Sequence, residues 1–206
     1  MGVLNQAEIK DRMKRTDYSE KLLVTPLLTE EQIGPASIDV RLGSSIIIPM
    51  KTYVEKQDVT DPAMIRQVEE RLYDRRRLKY KSKFMLHPNQ LILAVTLEYI
   101  SLPYDVACVI ASRSSWGRLG LVVATASVVQ PGYKGCLTLE LANLSESPIV
   151  LYPGLPVGQL VFHDVGAKGE KASYKGRYHC PTDAELPKFF TSEADEEMRF
   201  WGGHDK

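Results

Sequence analysis

Short apolar runs, most of them alternating with polar residues, dominate the chain from residue 36 onward. Turn signals containing Pro, Asn or Gly separate these runs, and the clearest lie at 87–89, 131–135 and 152–154. In such turns proline presets one position and glycine adopts the positive φ that follows it. The runs are ASIDVRLG, SSIIIPM, QLILAVTLEYI, DVACVIAS, GLVVATASVV, CLTLELAN, PIVLY and PVGQLVFHDV. Many short strands without alternating helices predict an all-β fold, a barrel or a jelly-roll.

The first helical patterns come before these runs. A short helix is predicted around residues 5–14. In LLTEEQIG, at 27–34, Thr29 and Gln32 have the spacing of a capping box and Gly34 is a stop signal. This segment therefore predicts a single capped turn.

Residues 60–83 interrupt the strand pattern. Asp61 and Pro62 favour a helix start, and the apolar positions that follow recur with helical period. These positions are Met64, Ile65, Val68 and Leu72. The segment ends in the basic run RRRLKYKSK, which suggests nucleic-acid contact or, more commonly for such a run, a solvated surface. We predict an inserted helical segment at 60–83.

The C-terminal tail, residues 166–206, loses the strand pattern and becomes polar. An acidic stretch near its end follows four basic residues, Lys168, Lys171, Lys175 and Arg177. Such a polar segment is expected to be frayed, or to be ordered by a ligand or a neighbouring subunit.

The composition is that of a soluble globular domain. The 206 residues are 44% hydrophobic and 25% charged, which predicts one domain over 1–206 with a sizeable core. Lys and Arg number 26, as do Asp and Glu, so no global basic field exists for nonspecific nucleic-acid binding. No apolar run is long enough to span a membrane, and the N-terminus lacks the core of a signal peptide. A cytoplasmic protein without membrane association is expected.

Three widely spaced cysteines indicate neither a disulfide framework nor a metal cluster. Cys108 and Cys136 lie in strand-like runs, so both are expected to be small buried hydrophobic residues. His87 and His163 are expected to be structural or surface residues.

The sharpest local feature is ASRSSWGRLGL, at 111–121. It brings the guanidiniums of Arg113 and Arg118 together with two hydroxyls, those of Ser114 and Ser115. Arginine matches phosphate oxygens bidentately and serine adds short donors, so this turn is a candidate phosphate cradle. A solvated turn with charged residues explains the same pattern about equally well.

A second candidate lies in TLELAN, at 138–143, where Glu140 shares a strand face with Thr138. If that face lines a pocket, partial desolvation raises the pKa of the carboxyl toward a general acid/base value. Taken alone, the strand pattern favours an ordinary outward-facing glutamate.

Together with PASIDVRLG, FMLHPNQLILAVTLEYISLP, VVQPGYKGCLTLELAN and PIVLYPGLPVGQLVF, the 111–121 segment resembles the dCTP deaminase branch of the trimeric dUTPase superfamily over about residues 20–165. The resemblance implies a distorted β-barrel or jelly-roll and a homotrimer with active sites between subunits. It implies hydrolysis of the 4-amino group of dCTP to dUTP and ammonia, which supplies dUTP for dUMP and dTTP synthesis. It also suggests dTTP as a feedback inhibitor and Mg²⁺ only as a partner of the triphosphate.

The resemblance assigns roles residue by residue. Glu140 matches the catalytic glutamate that shuttles protons, and Ser114 and Arg118 match residues beside the cytosine and the attacking water. Ala126 matches a position whose backbone helps to hold that water. The remaining substrate-binding candidates are Arg113, Ser115, Gln130, Thr138, Leu139, Tyr174, Arg177 and Tyr178, the last three in a tail that would close over the nucleotide.

Zinc deaminases use an HxE motif with a PCxxC pair, and the chain has neither, so a metal-independent mechanism is expected. Three positions depart from the family pattern. Val129-Gln130 replaces an Ile-Asp pair, Val128 replaces a common Arg, and Pro181 stands where the closing segment has Gln. An amide cannot act as a base, so Gln130 disfavours a bifunctional enzyme that continues to dUMP. That enzyme and a noncatalytic nucleotide-sensing protein are the two alternatives.

Overall fold

The computed structural model describes residues 2–50, 72–125, 128–166, 176–178 and 180–188, and strands dominate them. These described residues contain two helices, α1 (Gln6–Lys14) and α2 (Ser114–Arg118), and a 3-10 turn at Glu30–Gln32. The strands are β1 (Leu23–Thr25), β2 (Ile38–Pro49), β3 (Tyr73–Arg77), β4 (Phe84–Leu86), β5 (Leu91–Ser101), β6 (Val106–Ser112), β7 (Leu121–Val123), β8 (Val128–Val129), β9 (Lys134–Asn143), β10 (Ile149–Leu151) and β11 (Pro156–Asp164). The all-β expectation is confirmed.

Nine of the described strands form one curled antiparallel sheet. Its order is β7-β9-β5-β2-β11-β6-β8, with β1 also paired to β5 and β3 to β2. Strands β10 and β4 form a separate pair. The runs ASIDVRLG and SSIIIPM merge into the single strand β2, whose twelve residues contact three neighbouring strands.

The strands of this sheet supply most of a large buried core, and a smaller cluster packs beside Leu93 and Val95 of β5. Strand β9 shows the alternation that the sequence predicts, because Leu137, Leu139 and Leu141 are buried whereas Thr138 and Glu140 are only half-buried. Phe162 and Ile38 are fully buried on neighbouring strands. Burial of each such side chain stabilises the fold by about 1.5–3 kcal/mol.

Helix α1 is where the sequence predicts it. The Asn5 side chain accepts hydrogen bonds from the backbone N–H groups of Ala7 and Glu8, at 2.9 and 3.1 Å. The Asn5 N–H donates in return to the Glu8 carboxylate at 2.8 Å, which completes a capping box.

The turn at 27–34 forms, but the predicted capping box does not. Thr29 precedes the 3-10 turn without a capping hydrogen bond from its side chain. The buried Gln32 side chain instead donates to the Asp39 carbonyl at 2.8 Å and to the Glu98 carboxylate at 2.9 Å. The Gln32 side chain therefore donates to residues outside this turn and not to the backbone at Thr29, the contact that the capping-box spacing predicts.

The prediction of a helical segment at 60–83 is wrong for its described part. Residues 60–71 lie outside the described residues, and Tyr73–Arg77 is a strand paired with β2 from Ser45 to Pro49. The run YDRRR has no apolar alternation, so its strand conformation depends on pairing with the long strand β2.

Cys108 and Cys136 are buried, as predicted, and Cys180 is exposed. Burial raises the pKa of the Cys108 thiol to about 12, so this group stays protonated at neutral pH. Neither of the described helices is long and apolar enough to cross a membrane.

Candidate active site

A cavity of about 330 Å³ opens on the polar face of β9. Its walls come from β5, from β8 and the turn after it, from β9, and from the C-terminal segment, defined as residues 176–178 and 180–188. Thr138, Glu140, Gln130 and Tyr178 line this cavity, which brings four of the candidate site residues to one place.

Glu140 is held in the cavity wall by its strand. Its backbone pairs with Leu93 of β5 on one side. On the other side its N–H donates to Thr125 Oγ1 at 2.9 Å, and its carbonyl accepts from the Ala124 N–H at 2.8 Å. The half-buried Glu140 side chain therefore faces a cavity. It is not the ordinary outward-facing strand glutamate that the strand pattern alone favours.

The neighbours of Glu140 present different groups to the cavity. Thr138 contributes its side chain, whereas the Leu139 side chain is fully buried on the opposite face, so only its backbone can approach a ligand. Gln130 is exposed and follows β8 at the cavity mouth. An amide at this position can donate and accept hydrogen bonds but cannot take up a proton as a base.

The serine- and arginine-rich turn at 111–121 is not part of the described cavity wall. Ser114, Ser115 and Arg118 are exposed on α2, and Arg113 precedes the helix with its guanidinium paired to Asp39. The described surface of the Glu140 cavity includes none of these four residues. Within the described part of the chain, the two halves of the predicted site therefore do not line one cavity.

The C-terminal segment closes one side of the cavity with Tyr178, Pro181, Glu185 and Pro187. Of the predicted tail residues, Tyr178 lines the cavity. Arg177 is exposed and donates to the Lys188 carbonyl at 3.1 Å. Tyr174 and Ala126 lie outside the described residues.

The part of this segment at 180–188 is held by contacts with its own chain. The Cys136 N–H donates to the Pro181 carbonyl at 2.7 Å, and the Cys180 N–H donates to the Lys134 carbonyl at 3.0 Å. Burial raises the pKa of the Cys136 thiol at this junction, and the nearby Glu98 and Asp183 add to the effect. Residues 180–188 are therefore not frayed, and contacts with their own chain order them, which the expectation of a tail that is frayed or ordered by a ligand or a neighbouring subunit does not include.

Several lining residues carry no local sequence signal. Glu185 lies in the polar tail, and only the sequence Ala184-Glu185-Leu186 hints at an alternating segment. Thr125 and Tyr133 reach the cavity through turns that sequence patterns do not resolve. Within the described residues, no group of three or more His, Cys, Asp or Glu side chains is arranged to hold a metal ion.

Comparisons with known proteins agree with the resemblance. A family model described as dCTP deaminase-like matches residues 3–165. A relative named dCTP deaminase from Halorubrum lacusprofundi is 36% identical over 177 residues, which are 82% of this chain and 80% of the relative. A relative named "dCTP deaminase, dUMP-forming" from a Sulfurihydrogenibium species is 38% identical over 182 residues, 88% of this chain and 97% of the relative.

Among solved structures, a 2'-deoxycytidine 5'-triphosphate deaminase from Agrobacterium tumefaciens is similar, with a TM-score of 0.59 and 24% sequence identity. The match covers 78% of this chain and 48% of the other, so the chain spans about half the length of that protein. This likeness confirms the type of fold that the resemblance implies.

Proposed function

The chain belongs to the dCTP deaminase-like family, and from this premise we propose that it hydrolyses the 4-amino group of dCTP to give dUTP and ammonia. The observation that carries the proposal is Glu140, a half-buried carboxylate in the wall of a cavity, in a chain whose relatives are named dCTP deaminases. The enzyme would supply dUTP for dUMP and dTTP synthesis. The cytoplasmic location and dTTP feedback stay predictions.

Glu140 acts in this proposal as the proton shuttle. Water attacks C4 of cytosine and loses a proton to the carboxylate, which passes a proton to N3. The carboxylate then takes the proton of the new C4 hydroxyl and passes it to the amine, so the C4–N bond breaks, ammonia leaves and C4 becomes a carbonyl. One carboxyl that alternately accepts and donates protons serves each step, and the Ala126 backbone helps to hold the water, as in the family.

A second subunit completes the site. Ser114, Ser115 and Arg118 are exposed and lie outside the Glu140 cavity, which supports a homotrimer in which one subunit presents them to the cavity of its neighbour. Arg113 and these residues would then bind the nucleotide, and Mg²⁺ would accompany the triphosphate. Tyr174, Arg177 and Tyr178 belong to the closing segment.

The identity of Gln130 supports dUTP as the final product. A second hydrolysis, at the α-phosphate, needs a base to activate water, and an amide cannot serve. The dUMP-forming alternative is kept because relatives such as the Sulfurihydrogenibium protein carry that name, and it requires a carboxylate other than residue 130 as the base. A noncatalytic sensor would have no use for the proton shuttle.

The direct test is to incubate the protein with dCTP and Mg²⁺ and to separate dCTP, dUTP and dUMP. We expect dUTP to accumulate and a zinc-selective chelator to leave the rate unchanged. Stoichiometric dUMP and pyrophosphate would establish the bifunctional enzyme, and loss of activity on zinc removal would overturn the metal-independent mechanism.

The same assay on Glu140→Gln tests the assigned role. This change keeps the shape of the side chain and removes its basicity, so turnover is expected to fall by about 10² to 10⁴ while dCTP binding survives. Glu146→Gln is the matched control, since Glu146 is exposed and outside the cavity lining. Near-normal turnover of Glu140→Gln would remove Glu140 from the chemistry.

A further inference from the structure

We propose that Glu185 is a specificity-determining residue whose carboxylate accepts a hydrogen bond from the 4-amino group of cytosine and thereby selects dCTP over dUTP. The inference rests on the proposed function, because it takes the cavity beside Glu140 to be the nucleotide site.

Backbone contacts along β9 bring Glu185 to the cavity. The hydrogen bonds at Cys180 and Pro181 attach residues 180–188 to β9, and the Glu185 N–H donates to Thr138 Oγ1 at 3.0 Å. Thr138 is two residues before Glu140 on the same strand face. Glu185 is thus anchored beside the reacting end of the cavity.

The alternating burial of the segment directs Glu185 inward. Ala184 and Leu186 are buried in a cluster with Leu93 and Val95, whereas Glu185 and Pro187 line the cavity. Strand β3 fixes the outer side of the segment, because Arg77 pairs with Asp183 at 2.7 Å and Arg75 donates to the Ala184 carbonyl at 3.4 Å.

Lys188 orients the carboxylate and leaves it able to accept more hydrogen bonds. The Lys188 ammonium lies 2.9 Å from Glu185 Oε2. An ionised carboxylate offers about four acceptor positions on its two oxygens, so one ion pair does not exhaust them. The Glu185 carboxylate can therefore accept a hydrogen bond from a donor on a bound ligand.

Charge decides which end of the nucleotide Glu185 meets. A carboxylate is repelled by a triphosphate, so it favours the base or the sugar. Its attachment next to Thr138 places it with Glu140, on the base side. At C4, cytosine carries an amino donor where uracil carries a carbonyl acceptor. An ionised carboxylate only accepts, so it stabilises cytosine and repels uracil.

The test compares KM for dCTP with Ki for dUTP in the full-length protein and in Glu185→Gln. The amide can turn its NH₂ group toward the uracil carbonyl, so Ki for dUTP is expected to fall while KM for dCTP rises. We expect the ratio of Ki for dUTP to KM for dCTP to drop by about tenfold or more, which is the loss of a charge-assisted hydrogen bond. Glu185→Asp keeps the acceptor chemistry and should restore part of the ratio.

Asp183→Asn is the matched control. It removes the same charge from the same segment, but Asp183 pairs with Arg77 outside the cavity lining. Weaker docking of the segment would change KM and Ki together and leave their ratio unchanged. The inference is overturned if Glu185→Gln also leaves the ratio unchanged, or shifts both constants equally as a contact with the sugar would.

Failure of the proposed function is recognised separately. If the wild-type protein does not deaminate dCTP, that function is contradicted, and equilibrium dialysis of dCTP and dUTP with the same proteins then measures the preference directly. Absence of binding, or an equal preference in wild type and Glu185→Gln, would contradict the inference as well.

Discussion

Two carboxylates on adjacent strands have opposite surroundings. Glu98, at a bulge in β5, is fully buried, and its two oxygens accept hydrogen bonds from the Arg41 backbone N–H at 2.8 Å and the Gln32 amide at 2.9 Å. The Arg41 guanidinium adds an ion pair at 3.4 Å. Glu140 faces the cavity from β9. We therefore assign a structural role to Glu98 and propose the proton-shuttle role for Glu140.

Glu98→Gln is expected to destabilise the protein even though it removes a buried charge. Gln has a single acceptor oxygen, so its NH₂ group would face one of the two donors that Glu98 satisfies. We expect the free energy of unfolding in urea to fall by about 1–3 kcal/mol. The matched control is Glu20→Gln, which breaks the exposed Arg15 ion pair and should cost less than about 1 kcal/mol. Equal losses would contradict the structural role.

The pH dependence of this loss of stability follows from the direction in which the pKa of Glu98 is shifted. Burial raises the pKa of Glu98 above its ordinary value of 4.5, so the folded protein holds this proton more tightly than the unfolded chain. The stability that this carboxyl contributes is present below pH 4.5 and is lost as the pH rises through the raised pKa. The deficit of Glu98→Gln should therefore shrink as the pH rises above 4.5, and a deficit that grows with pH would contradict a raised pKa of Glu98.

Sequence patterns predict the helices and strands whose local and tertiary preferences agree. Strand β9 alternates because one face packs on the core, and the capping box of α1 is complete within four residues. Strand β3 and the C-terminal segment carry no such pattern. Their conformation depends on neighbours distant in the chain, β2 for one and β9 for the other.

The same distinction holds for the candidate site. Glu140 and Gln130 are singled out through the family resemblance, whereas Glu185 enters the cavity through contacts between residues 180–188 and a strand more than forty positions earlier. No window of local sequence contains that information. Likewise, the capping-box spacing at Thr29 fails because Gln32 finds buried partners.

Docking of the C-terminal segment depends on Gly135. This residue has φ 140°, and a Cβ added to it would lie 2.4 Å from Pro181 Cδ. Gly135→Ala should displace residues 180–188, increase proteolytic cleavage there and raise KM for dCTP. Gly34→Ala is the control, since its Cβ would meet Ser37 at an ordinary 3.4 Å. Unchanged protection of the segment in Gly135→Ala would show that this packing does not hold it.

At the scale of the whole molecule, the separation of the two halves of the site determines what the assembly must do. The Glu140 cavity opens on β9, while Arg118 is exposed at the end of α2 and does not line it. Closed rings of identical subunits repeat one contact, so a neighbour that supplies α2 to one cavity does so for every cavity. The proposed homotrimer would then hold three composite sites.

Mixing two inactive variants tests this arrangement. Arg118→Ala and Glu140→Gln should each be nearly inactive alone. After joint unfolding and reassembly at equal amounts, a site formed by Glu140 of one subunit and Arg118 of another has both residues intact in about one quarter of random pairings, so about a quarter of wild-type activity should return. A site within one chain always lacks one of the two residues and would regain nothing. Each variant refolded alone is the control for the procedure, and absence of recovery with an intact trimer by light scattering would place the whole site in a single chain.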